Sequence, residues 1–148
     1  DFYFYLNHDD LEDGECFFYV VQLEKFNDYL KLGIAKSLSH RRDNEYGKEF
    51  LSILFGSRFE AITFEQGVLA QTLSLMECPE ELAKSEPKWH GFSEVRKTTW
   101  NNIEEFITDF HLEFEDIGLE AFARKYIIMS DDMKKKLHKV CKEFQKIN

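Results

Sequence analysis

The sequence holds only three cysteines, two prolines and no long uninterrupted apolar run, and its 19 basic residues are outnumbered by 28 acidic ones. Each shortage removes a class of protein. Cys16, Cys78 and Cys141 are odd in number, widely separated and in no CxxC spacing, which excludes a disulfide framework and a paired-cysteine zinc site and makes a reducing interior the default. No stretch is long enough to span a bilayer, and the acidic, aromatic N-terminus lacks the basic patch and apolar run of a signal peptide. A cytoplasmic protein without membrane contact is expected. No low-complexity linker or internal repeat interrupts the chain. The formal charge of −9 works against non-specific attraction to a polyanion, because phosphate binding gains most from Lys and Arg that displace counterions.

What is present points to a real core. In 148 residues, 43% are hydrophobic and 16% aromatic, fifteen of them Phe, enough for one domain-sized interior. Charge is unevenly spread. Residues 1–15 carry six carboxylates and no Lys or Arg, whereas residues 131–148 carry six lysines against three carboxylates. The start at Asp1 without a methionine and the lysine-rich end lead to the expectation of a fragment of a longer chain.

Periodicity supplies the elements. Cys16–Leu23 (CFFYVVQL) is aromatic and β-branched and reads as a buried strand after Asp13-Gly14. Tyr29–Ala35 (YLKLGIA) alternates, so the two pair as an antiparallel hairpin across a connection holding Asn27-Asp28. Gly33 falls near that strand's end, where a backbone bend or a close approach of substrate wants no side chain. Ser37 as N-cap, with Leu38, Arg41, Arg42 and Glu45 at helical spacing, predicts a short helix over Ser37–Tyr46. Glu49–Glu60 reads as a third strand, and Ala61–Leu75 as a helix with Ile62, Val68, Leu69, Leu73 and Met76 toward the sheet. Cys78–Thr99 is a loop-rich connection. Helices are predicted over about 101–114 and 117–128, and over Asp131–Lys146 with Ser130 as N-cap. The fold class is α+β, a small three-stranded antiparallel sheet first and helices after it.

Several residues in this frame have both an ordinary and a chemical role. Tyr19 is by default a core aromatic, Lys31 a strand residue facing solvent, Arg41 and Arg42 a solvated helix face, and Glu65 a surface carboxylate. Yet a tyrosine or lysine can handle a water's proton, an arginine can hold phosphate oxygens, and a carboxylate can hold a hard divalent cation.

In that order, strand, strand, arginine helix, strand, glutamate helix, the chain resembles the GIY-YIG nuclease superfamily, particularly its divergent phage-type branch. Phe17-Phe18-Tyr19 is similar to the first motif and Lys31-Leu32-Gly33 to the second, with lysine where the family name has tyrosine. Leu38 and Arg41 stand five and eight residues beyond Gly33, matching the family's spacing, and Ala61, Phe64, Glu65 and Leu69 resemble its metal-binding helix. Ala35 departs from the usual small hydroxyl residue, and Gly91-Phe92-Ser93-Glu94 looks like a later family element without an assigned role.

The resemblance implies a GIY-YIG-like nuclease core over residues 16–100, between an acidic segment at 1–15 and a helical C-terminal extension at 101–148. It implies DNA as substrate, cut by a Mg²⁺- or Mn²⁺-dependent attack of water on a phosphodiester, in a bacterial or phage-infected cell. Tyr19 would be the base or water-orienting group, Lys31 and Arg41 the electrostatic partners and Glu65 the metal ligand, with Gly33, His40 and Arg42 toward the substrate. A separate DNA-binding domain would belong to the longer chain. The competing reading is a catalytically silent relative that binds nucleic acid or protein.

Overall fold

The most apolar run of the chain becomes the centre of its sheet. The fold is known from a computed structural model that describes residues 2, 6, 7, 14–36, 46–84 and 91–147. Strand β1 (Cys16–Leu23) pairs antiparallel with β2 (Phe26–Ala35) on one side and β3 (Tyr46–Phe55) on the other. A central strand is covered on both faces, which is why its apolar residues run on without strict alternation. Cys16, Phe18 and Val20 enter the main core with Leu30 and Leu32 of β2. Alternation puts Tyr19 and Val21 on the opposite face, where the register sets Gly33 across from Tyr19 and Lys31 across from Val21.

The sheet has four strands, not three. Strand β4 (Val95–Lys97) pairs antiparallel with the free edge of β2, giving the order β3-β1-β2-β4. Three residues reading Val-Arg-Lys carry no alternation, so this strand is set by the open edge it meets and is invisible in its own pattern. Four boundaries also move. The hairpin turn is Glu24-Lys25, with Lys25 at φ 71°, and Asn27-Asp28 lies within β2. Residues 57–60, expected in β3, open helix α1 (Arg58–Gln71), because the Ser57 hydroxyl accepts from the Glu60 amide at 3.1 Å and caps it. The same helix ends at Gln71, leaving Leu73 60% and Met76 47% exposed instead of facing the sheet. Tyr46, expected to end a helix, begins β3; the rest of that helix lies outside the described residues.

Helix α1 is wrapped on two sides. Ala61, Phe64 and Val68 meet the sheet core, while Phe59 and Ile62 join a second cluster. Its Gly67 is required by packing, since a Cβ there would lie 2.6 Å from the Phe122 ring. After the one-turn α2 (Glu80–Ala83), helix α3 (Trp100–Ile117) buries Ile103, Ile107, Phe110 and Phe114 along a single stripe. Gly118, at φ 84°, turns the chain into α4 (Leu119–Tyr126), whose Phe122 is fully buried among Phe64, Phe110 and Phe114. Ser130 caps α5 (Asp131–Ile147) by accepting from the Met133 amide. Leu137 and Cys141 of α5 close the second cluster with Phe2, Leu6, Phe59, Ile62 and Ala123. Among the described residues no helix is long and apolar enough to cross a membrane.

Candidate functional site

The hairpin and α1 bring four of the named residues to one rim of the sheet. Because Tyr19 and Gly33 are cross-strand partners and Lys31 is two residues from Gly33, the phenol and the ammonium both lie over the glycine. A Cβ at Gly33 would fall 2.5 Å from Tyr19 Oη, 2.7 Å from its Cζ and 2.9 Å from Lys31 Nζ, so this position takes glycine for lack of space. Lys31 Nζ lies 5.6 Å from the centre of the Tyr19 ring, within cation–π range. It donates to the Leu32 carbonyl at 3.0 Å and pairs with Glu94 Oε2 at 2.9 Å. Lys31 is therefore buried, against its expected exposure on the sheet surface.

Glu65 is the most perturbed group of the site. At 4% exposure it is no surface carboxylate, since α1 is covered on both sides at that level. Loss of hydration pushes its carboxyl up to about 8, reinforced by the charge of Glu94 and by a hydrogen bond to it, and opposed by Lys31 and Gln66. Gln66 Nε2 donates to Glu65 Oε1 at 3.3 Å. Burial and the neighbouring Glu94 therefore both favour the neutral form of Glu65, while the Glu94 side chain is itself 31% exposed. Glu94 connects buried Glu65 and buried Lys31 to solvent. Both carboxylates line an open groove of about 550 Å³ that continues past Leu69, Leu73, Met76 and Ile128.

Arg96 holds this arrangement together. It is 1% exposed and donates through Nε to Thr72 Oγ1 at 2.9 Å, through Nη1 to the Ser93 and Val95 carbonyls, and through Nη2 to the Leu69 carbonyl at 3.1 Å. Leu69 lies in the last turn of α1, where carbonyls lack helical partners and a cation is favoured. One side chain therefore ties the backbone beside Glu94 to the helix carrying Glu65. Burial pulls its guanidinium below the usual range, partly offset by Glu94.

Sequence reasoning named Tyr19, Lys31, Gly33 and Glu65, which the fold gathers; Arg41, His40 and Arg42 lie outside the described residues. It singled out the segment of Glu94 without giving that residue a role and passed over Arg96. Glu94 is 63 residues from Lys31 in the chain, so no local spacing links them. The oxygen donors of Glu65 and Glu94 suit a hard cation such as Mg²⁺ or Mn²⁺, which binds through one or two carboxylates and keeps several waters. Among the described residues no group of three or more His, Cys, Asp or Glu gathers as a metal cage, so a cation here would rely on this pair and water. Comparison of the chain with protein-family models, curated proteins and solved structures returned no match.

Proposed function

We propose that this chain is a GIY-YIG-like, divalent-metal-dependent endonuclease domain that hydrolyses DNA phosphodiester bonds. The observation that carries the reading is the meeting of Tyr19, Lys31 and Gly33 from the hairpin with buried Glu65 from α1, joined through Glu94.

Tyr19 orients the attacking water and accepts its proton. Lys31, 5.6 Å from the centre of the phenol ring, places a positive charge beside the group that takes the proton. The water oxygen bonds to phosphorus and the bond from phosphorus to O3′ breaks. O3′ takes a proton from solvent, leaving a 3′-hydroxyl and a 5′-phosphate. Arg41 stabilises the charge growing on the phosphoryl oxygens, a contribution of a few kcal/mol for a preorganised donor. Glu65 would hold Mg²⁺ or Mn²⁺, with Glu94 beside it as a second oxygen donor; when bound, the ion supplies Lewis-acid stabilisation of the phosphate charge. Gly33 leaves room for the phenol and the ammonium over the strand, and the resemblance would give His40 and Arg42 a part in substrate binding.

Supercoiled-plasmid relaxation in Mg²⁺ or Mn²⁺ at low salt tests this. The wild type is expected to nick, and Glu65→Ala and Arg41→Ala to lose nicking by at least a hundredfold while keeping the wild-type far-UV spectrum. Retained metal-dependent nicking in Glu65→Ala would remove Glu65 from the metal site.

A second reading, a catalytically silent module of the same fold, is favoured by the closed surroundings of the site: Glu65 is 4% exposed, and burial together with Glu94 pushes its carboxyl up, away from the ionised form a cation needs. Mn²⁺ binding followed by electron paramagnetic resonance separates the two. A nuclease binds the ion in a Glu65-dependent way, and a silent module does not.

A further inference from the structure

The charge of the helical layer is strongly divided. Helix α3 carries six carboxylates, Glu104, Glu105, Asp109, Glu113, Glu115 and Asp116, and no Lys or Arg. Helix α5 carries six lysines against three carboxylates. On α5 the lysines are not scattered. Lys135, Lys139 and Lys142 follow at four- and three-residue spacing, all exposed, on the side away from buried Leu137 and Cys141. They form a row about 10 Å long at 1.5 Å rise per residue. Asp131, Asp132 and Glu143 flank the row, but among the described residues no carboxylate lies within ion-pair distance of these three lysines. Neighbouring basic groups are engaged: Lys136 donates to Asn7, while Arg124 and His138 both meet Glu120.

A solubilising surface has no need for such a division, since interspersed charges serve that purpose better than single-sign fields. A row of unpaired cations on a chain of net charge −9 offers a polyanion a local face to meet. The row also lies near the proposed site. Its head opens on a groove of about 490 Å³ lined by Arg124, Asp131, Lys134, Lys135 and His138. The short link between α4 and α5 separates this groove from the one holding Glu65 and Glu94, because Ile127 and Ile128 wall the latter. An anionic membrane is a poorer partner. A helix that binds lipid buries an apolar face in it, and the apolar face of α5 is already spent on the second core cluster.

We propose that Lys135, Lys139 and Lys142 form the surface along which the phosphate backbone of duplex DNA lies, directed across the link between α4 and α5 to the groove of Glu65 and Glu94. The choice of DNA rests on the nuclease reading. The placement rests on the charge pattern.

The test is fluorescence anisotropy of a labelled duplex with the 148-residue Glu65→Gln protein in EDTA, so that nothing is cut, across a series of salt concentrations. Replacing the three lysines by Gln should weaken binding and lower the slope of log affinity against log salt by about one for each lysine. Lys84→Gln, which removes a lysine already paired with Glu80, should leave the slope unchanged. An unchanged slope in the triple variant overturns the proposal, as does lysine-dependent binding to phosphatidylserine vesicles without binding to duplex. Nicking with an unchanged slope would leave the nuclease standing and remove this surface. A lysine-dependent slope without nicking would do the reverse.

Discussion

Glu65 shows how far burial changes a single carboxylate. In the metal-free protein its carboxyl is pushed up to about 8 from an ordinary 4.5, so the folded state keeps a proton that the unfolded chain releases. The sign follows. Stability from this group is full below about pH 4.5 and is lost as pH rises toward 8. Glu65→Gln cannot ionise, so its urea midpoint should fall less than that of the wild type between pH 5 and 8.5, and the variant should be the more stable of the two at the upper end. Parallel curves would mean that Glu65 ionises as a surface group does. Divalent cations act on the wild type in the opposite direction, because they bind the ionised carboxylate.

Helix α1 depends on close approach more than on propensity. At Gly67, alanine would be favoured by up to about 1 kcal/mol if the helix stood alone. In the fold the added methyl meets the Phe122 ring at 2.6 Å and Phe110 at 3.2 Å. Overpacking of a filled core costs about 1–3 kcal/mol, so packing wins over propensity. Gly67→Ala is therefore expected to lower stability by about 1–2 kcal/mol, measured by urea denaturation; a gain would show that α1 and α4 can separate without cost.

At the scale of the whole molecule, the sheet shares one interior with α1, α3 and α4, and α5 closes a second against α1 and α4. Phe122 of α4 touches Phe64 of α1 and Phe110 and Phe114 of α3, and the same cluster holds Phe18, Val20, Leu30 and Leu32 of the sheet. Phe122→Ala should cost about 3–5 kcal/mol, a large part of the stability of a domain this size. Tryptophan fluorescence and far-UV circular dichroism should report one coincident thermal transition in the wild type and in this variant. Two separated transitions would show that the helices and the sheet unfold independently.

The elements legible in the sequence were those whose stability is largely local. β1 was found at Cys16–Leu23 because its apolar run and the glycine before it are self-contained signals, and α5 because Ser130 and a regular apolar stripe mark its start and face. Tyr19, Lys31, Gly33 and Glu65 were legible because their identities and spacing form a pattern along the chain. β4 was not, since three residues with no pattern become a strand only when β2 offers an open edge. Nor were the places of Glu94 and Arg96, which depend on β4 docking beside the end of α1. The sequence by itself determined the α+β class, the hairpin and the residue types available for chemistry, because these follow from short-range periodicity. The burial of Glu65 that pushes its carboxyl up, the pairing of Lys31 with Glu94 and the place of Gly33 beneath both phenol and ammonium come from the tertiary structure alone. Those facts depend on hydration lost and space left when segments distant in the chain close on one another.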